Sequence, residues 1–218
     1  MKVFITGTDT DIGKTYISCL MLKNWNSRGF KTIGLKPISS GCEGIDKHYI
    51  NRDAHLLQHT ASIRLTYEQV NPYCFIPPVS PHIVAEKERV KLTVQEICSH
   101  IQKISQITHN RMIVEGVGGL MVPLNKEELQ LDLMKALNFP VVFVIGLKLG
   151  CLNHALLSIA VLKAHQIPIK GWVINHIDPY MACAHENITT LKYYLKNIPY
   201  LGYVPFEGVE LFKDNVSP

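Results

Sequence analysis

Apolar residues arrive along this chain in short unbroken runs, separated by longer amphipathic stretches. The runs are Lys2–Thr6, Thr32–Lys36, Met112–Glu115, Val141–Gly146, Gly171–Asn175 and Tyr200–Val204, rich in Val, Ile and Phe. A strand buried on both faces reads this way, whereas a strand with one wet face alternates. Between them, Gly13–Ser27, Val94–Ile107, Leu129–Leu137, Asn153–His165 and His185–Leu195 carry helical patterning. Strands alternating with helices imply right-handed crossovers, and so an α/β fold: a mostly parallel sheet with helices on both faces. The pattern predicts a single domain over residues 1–218.

Ser39–Arg89 breaks the alternation. Gly41, Gly44, Pro72, Pro77, Pro78 and Pro81 punctuate it, with a short helix expected over Arg52–Thr60. Ser80-Pro81 reads as an N-cap and first helical position, starting another helix near His82. Irregular excursions of that length in a compact domain are commonly functional.

Composition narrows the classes. At 218 residues, 47% hydrophobic and 18% charged, the chain is neither disordered nor collagen-like. A net charge of +4, dispersed without a block, argues against nucleic acid or a membrane surface as partner. The longest apolar run, Val141–Leu147, falls far short of the ~20 residues that span a bilayer. Cys19, Cys42, Cys74, Cys98, Cys151 and Cys183 stand far apart with no CxxC pair, so neither a disulfide framework nor a structural zinc site is expected. The first residues turn polar at Thr6, unlike a signal peptide, and a reducing cytoplasm is the expected compartment. Ten histidines form no HExxH or HxH set, which argues against a His-bound metal.

The strongest chemical signal is Gly7-Thr8-Asp9-Thr10-Asp11-Ile12-Gly13-Lys14-Thr15, which follows the first strand and opens the first helix. Backbone N–H groups of such a turn and helix start wrap phosphates. Lys14 adds a charge at the β/γ-phosphates, and the Thr15 hydroxyl is placed to ligate Mg²⁺. Against GxxxxGK[ST], Thr8 stands where the first glycine belongs and Gly7 is one residue early. The context makes this a nucleotide site. Met112-Ile113-Val114-Glu115 is an apolar strand ending in a carboxylate, an arrangement that holds Mg²⁺ directly or through water. Gly116, Gly118 and Gly119 then allow close backbone approach to phosphates.

Other candidates stay open on spacing alone. Lys36 ends the second strand, where ligands of open α/β sheets gather, and could meet a transferring phosphoryl group or simply be solvated. Asp53 is a further Mg²⁺ ligand or an ordinary acid at a helix start. Asn175 and His176 could touch a nucleobase, or form a turn.

Four segments resemble the dethiobiotin synthetase family: GTDTDIGKT, KPISSG (Lys36–Gly41), EGVGGL (Glu115–Leu120) and KLGCLNH (Lys148–His154), with SPH at Ser80–His82 also similar. Their order fits from Val3 to about Pro205. The resemblance implies a P-loop NTPase-like fold and a cyclo-ligase that uses ATP and Mg²⁺. The implied reaction carboxylates 7,8-diaminopelargonic acid with CO₂ and closes a ureido ring, giving dethiobiotin, ADP and phosphate in biotin biosynthesis. It further implies that Asp11, Ile12, Gly13, Lys14, Thr15 and Tyr16 wrap the nucleotide, and that Thr15, Asp53 and Glu115 hold Mg²⁺. Lys36 would stabilise the carbamate and the transferred phosphoryl group, with Thr10 near the reacting centre. Ser40 would hydrogen-bond the diamine or carbamate. Gly150, Cys151 and Asn153 would grip the substrate carboxylate from a neighbouring subunit, implying a homodimer with shared sites.

Two departures from the family pattern carry expectations. Asp11 stands where the family often has Glu. Only ten residues follow Gly208, where members commonly continue into a helix beside the nucleobase, so relaxed nucleotide selectivity is expected. The rival reading, a partner-regulated partitioning or cell-division ATPase, usually carries KGGxGKT, where this chain has Asp9, Thr10 and Asp11.

Overall fold

Each unbroken apolar run folds as a strand of one sheet. The computed structural model describes residues 1–45 and 48–206. In chain order the strands are β1 (Lys2–Gly7), β2 (Thr32–Leu35), β3 (Ile38–Ser40), β4 (Glu43–Ile45), β5 (His48–Ile50), β6 (Tyr73–Phe75), β7 (Arg111–Glu115), β8 (Val141–Leu147), β9 (Ile169–His176) and β10 (Tyr200–Val204). The helices are α1 (Lys14–Ser27), α2 (Arg52–Thr60), α3 (Tyr67–Val70), α4 (Pro81–Glu88), α5 (Val94–Ile104), α6 (Gln130–Leu137), α7 (Cys151–Ala164) and α8 (Ala184–Tyr194).

The main sheet has six strands in the order β10-β9-β8-β1-β7-β2, and every pairing in it is parallel. Helices cover both faces, which is why the strands are apolar throughout. Val3, Ile5, Ile113, Val142 and Val144 meet Ile17, Met21, Leu22 and Trp25 of α1 and Leu57 of α2. The intervening residues Phe4, Met112, Val114, Phe143 and Ile145 face the opposite layer, built from α4 to α8. β1 lies between β7 and β8, with Ile5 opposite Glu115, so the GTDTDIGKT turn and the Glu115 strand end emerge side by side.

The irregular segment makes two small sheets, β3 with β6 (parallel) and β4 with β5 (antiparallel). Here the sequence expectation is corrected: Cys42 and Cys74 are bonded in a disulfide across a separation of 32 residues. The pairing of β3 with β6 sets Ser39 opposite Cys74 and brings the sulfurs together. Ser80 does precede Pro81 at the start of α4, but its hydroxyl does not cap the helix; it bonds His82 Nδ1 at 2.9 Å instead. The segment after Phe206, on which the expectation about the nucleobase rests, lies outside the described residues.

Candidate functional site

The turn between β1 and α1 is bolted to β8. Thr8 N donates to Val144 O at 3.0 Å, and Thr8 Oγ1 accepts from Gly146 N at 3.2 Å. A threonine in the place of the usual first glycine is therefore a brace. The early glycine has its own reason: a Cβ on Gly7 would stand 2.5 Å from Val144 O and collide with Ile12. Gly13 enters the helix at φ +82° with a Cβ position already taken by the Asn175 amide, which donates to Ile12 O at 2.9 Å. No side chain caps the first turn of α1, leaving a helix N-terminus suited to an anion.

Lys14 lies along this turn, 6% exposed, its Nζ donating to Asp9 O at 2.6 Å. Burial, and then the charge of Lys36, lower its pKa to about 8. Lys36 is buried at the end of β2, with Nζ 2.7 Å from Glu115 Oε1 and 3.3 Å from Asp53 Oδ2. Burial works against its charge, but Glu115 and then Asp53 outweigh it and hold the ammonium above the ordinary lysine range. Thr15 Oγ1 donates to Glu115 Oε1 at 2.6 Å, and Ser18 Oγ reaches Glu115 Oε2 at 2.8 Å. Asn51 caps α2 by accepting from Asp53 N and Ala54 N, which fixes Asp53 in the first turn and aims it at Lys36.

A cleft of about 560 Å³ joins these groups, and Thr10, Asp11, Gly13, Lys14, Thr15, Tyr16, Lys36, Ser40, Asp53, Glu115 and Gly118 line it. Ile12 lies beneath the turn, fully buried, and the Gly116 N–H bonds Ile5 O. Asn175 braces the turn, while the ring nitrogens of His176 bond Tyr203 Oη (2.7 Å) and Asp178 O (2.9 Å). Neither borders the cleft. Gly150, Cys151 and Asn153 also lie outside it, at the start of α7, beside Leu149, which is 89% exposed. The Cys151 thiol is buried, and burial raises its pKa.

The donor set suits a hard cation. Among the described residues no group of three or more His, Cys, Asp or Glu side chains is placed to hold a metal. Two carboxylates and a hydroxyl, all oxygen donors, converge here, and the Lys36 ammonium already bridges the carboxylates. Mg²⁺ is characteristically held by one or two carboxylates, with water and phosphate oxygens completing its shell. The residues fit it.

Sequence reasoning missed three supports. Ser18 follows Thr15 by one helical turn, a spacing that places both on one face and could have found it. Gln130 is buried, accepting from Val117 N (2.7 Å) and donating to Gly119 O (2.5 Å), and it fixes the loop after Glu115. A Cβ on Gly116 would stand 2.6 Å from Gln130 Oε1, so the amide packs against that glycine. Asn71 ties the end of β2 to α3. No local pattern announces the last two.

A family model described as an AAA domain matches residues 1–209. In fold, the chain is similar to a ParA family ATPase from Chlorobium tepidum (TM-score 0.56, 12% identity, 94% of this chain and 85% of that one). It is also similar to the MinC:MinD cell division protein complex of Aquifex aeolicus (TM-score 0.54, 12% identity, 94% and 81%). At that identity the likeness shows the fold alone, a parallel sheet with helices on both faces. In sequence, the ATP-dependent dethiobiotin synthetase BioD of Aeromonas hydrophila is 42% identical over 211 residues, 97% of this chain and 93% of that protein. The protein of the same name from Nitrosospira multiformis is 39% identical over 207 residues, 94% and 88%. With the cleft, its paired lysines and these relatives together, the chain belongs to the dethiobiotin synthetase family of ATP-dependent cyclo-ligases.

Proposed function

We propose that this enzyme converts 7,8-diaminopelargonic acid and CO₂ to dethiobiotin, with ATP giving ADP and phosphate, through a carbamate and a carbamic-phosphoric anhydride. The observation that carries the reading is Lys36, a buried ammonium beside the phosphate-binding turn, joined to Glu115 and Asp53. An amine captures CO₂ as a carbamate, whose oxygen leaves poorly until it is phosphorylated; the neighbouring amine then attacks and expels phosphate. The protein's task is mainly alignment and neutralisation of charge.

Lys14 holds the β/γ-phosphates from the helix start, and Thr10 lies on the same turn at the cleft wall. Lys36 stabilises the carbamate and then the phosphoryl group moving to it. Ser40, lining the substrate side, hydrogen-bonds the diamine or carbamate. Thr15, Asp53 and Glu115 would hold Mg²⁺, which when bound supplies charge neutralisation to the phosphates. Gly150, Cys151 and Asn153 begin an exposed helix end and would grip the substrate carboxylate in the site of a second copy, making a homodimer.

Selectivity for the nucleotide is relaxed in this reading. Asn175 and His176 both have protein partners and stand outside the cleft, which supports it. Affinities for ATP, GTP and CTP under equal conditions test it, and a strong adenine preference contradicts it. In this reading the enzyme works in the cytoplasm, beside the other small-molecule chemistry it would depend on. Phosphate release that requires the diamine tests the central reading.

A further inference from the structure

Behind the cleft lies a largely buried polar network whose central amide and phenol, Asn71 and Tyr67, take no part in the reaction steps above. The end of β2 cannot continue its ladder, because Pro37 has no N–H, and the chain turns away from the main sheet after Leu35. Asn71, 3% exposed, meets it there. Asn71 Nδ2 donates to Lys36 O (2.5 Å) and reaches Tyr73 O (3.5 Å). Its Oδ1 accepts from Ser39 Oγ (2.8 Å) and from the Tyr67 hydroxyl (2.9 Å). The Tyr67 oxygen accepts in turn from Asn51 N at 2.6 Å. Asn51 is the residue that caps α2 and orients Asp53, and its Nδ2 donates to Ser40 O at 3.2 Å.

One carboxamide and one phenol, on α3 and just after it, thus hold the Lys36 main chain, the Ser39–Ser40 strand that follows it and the cap that presents Asp53. We propose that Asn71 and Tyr67 are positioning residues that fix Lys36, Ser40 and Asp53 relative to one another. The inference rests on the reaction proposed above. Neither residue lines the cleft, so neither touches substrate; they act through the groups that do. A buried network with all its members partnered is rigid, and small misplacement of a reacting group is expensive in rate. The nucleotide-binding turn is braced separately, by Val144, Gly146 and Asn175, so the network reaches the nucleotide only through Asp53 and the Mg²⁺ it would help to hold.

Tyr67→Phe removes one hydroxyl without opening a cavity, and Asn71→Ser removes the amide. The expected result is a kcat for the diamine reaction about tenfold lower in Tyr67→Phe and about 100-fold lower in Asn71→Ser. The calorimetric Kd for ADP measured without Mg²⁺ stays within about twofold, since the phosphate turn is untouched. A purely structural role lowers the melting temperature and leaves kcat alone, and that outcome overturns the proposal, as does a parallel loss of ADP affinity. If Asn71→Ser does not fold, Tyr67→Phe carries the test. If the unmutated enzyme does not turn over the diamine, the functional reading fails, and crystals of Tyr67→Phe still decide the positioning role. A Lys36–Asp53 separation that lengthens supports it; one that stays at 3.3 Å overturns it.

Discussion

Lys36 Nζ and Glu115 Oε1 are 2.7 Å apart, with the lysine side chain 6% exposed and the glutamate closed to solvent. Lys36 directly follows β2 and Glu115 ends β7, so both stand at the carboxyl ends of neighbouring strands. A buried charge left without its partner generally costs about 3–5 kcal/mol. Glu115 also has the Thr15 and Ser18 hydroxyls, which offset part of that loss. Lys36→Gln is therefore expected to fold, to bind ADP, and to lose about 10²–10³-fold in kcat, the scale of removing one charge-stabilising donor. Steady-state kinetics with calorimetry on the same preparation checks it; a kcat within threefold of the parent contradicts the role.

Lys14 gives the pH dependence. Its pKa is lowered to about 8 by burial and by Lys36, whereas a bound triphosphate favours the ammonium. Below pH 8 the free enzyme already carries that charge. Above it, binding must take up a proton, so nucleotide affinity weakens as pH rises. A Kd for ADP about tenfold larger at pH 9 than at pH 7 is expected, with proton uptake visible in buffers of different ionisation enthalpy. A flat profile over that range would contradict the assignment.

Gly13 is the backbone prediction. An alanine there holds φ +82°, a left-handed conformation that strains L-residues by roughly 1–2 kcal/mol, and its Cβ displaces the Asn175 amide. Gly13→Ala should lower the melting temperature and weaken ADP binding together. Asn175→Ala should weaken binding without the strain. Equal stability of Gly13→Ala and the parent counts against the geometry.

The main sheet was legible because both of its faces are covered, which writes each strand as an unbroken apolar run; β10 matches its expected limits and the others differ by one or two residues. The glycine-rich turn after β1 and the Glu115 strand end were legible as structure because each is a local motif. Lys36 and Asp53 carry two readings each on spacing alone, and their approach to 3.3 Å appears only in the fold. Strands β3 and β6 have three residues apiece, too few for any period to show. Asn71 and Gln130 act across loops through single amides, and nothing beside them in the chain marks a buried polar residue.

The Cys42–Cys74 bond belongs to that unreadable class, since the pairing of β3 with β6 creates it. Chain-entropy reasoning for its 32-residue separation gives about 3–4 kcal/mol of stability. Urea unfolding of Cys42→Ser, or of the parent in dithiothreitol, should show an earlier midpoint with ADP affinity retained. In a reducing compartment the dithiol form prevails, so turnover should survive reduction. Abolished turnover in dithiothreitol contradicts the proposed cytoplasmic setting.

Shared sites can be tested by complementation. Lys36→Gln and Asn153→Ala damage one site from its two sides if a second copy supplies α7. Mixing the two variants through mild denaturation should then restore on the order of a quarter of parental activity, from dimers with one intact site. No recovery, with dimers present, assigns α7 to another role.

The most direct test of the whole account is phosphate release from MgATP with ¹³C-bicarbonate, with and without 7,8-diaminopelargonic acid, followed by mass spectrometry of the product. Diamine-dependent release that yields dethiobiotin carrying one ¹³C is the predicted result. Release indifferent to the diamine, with no labelled ring, would contradict the synthetase reading and leave a P-loop ATPase awaiting another partner.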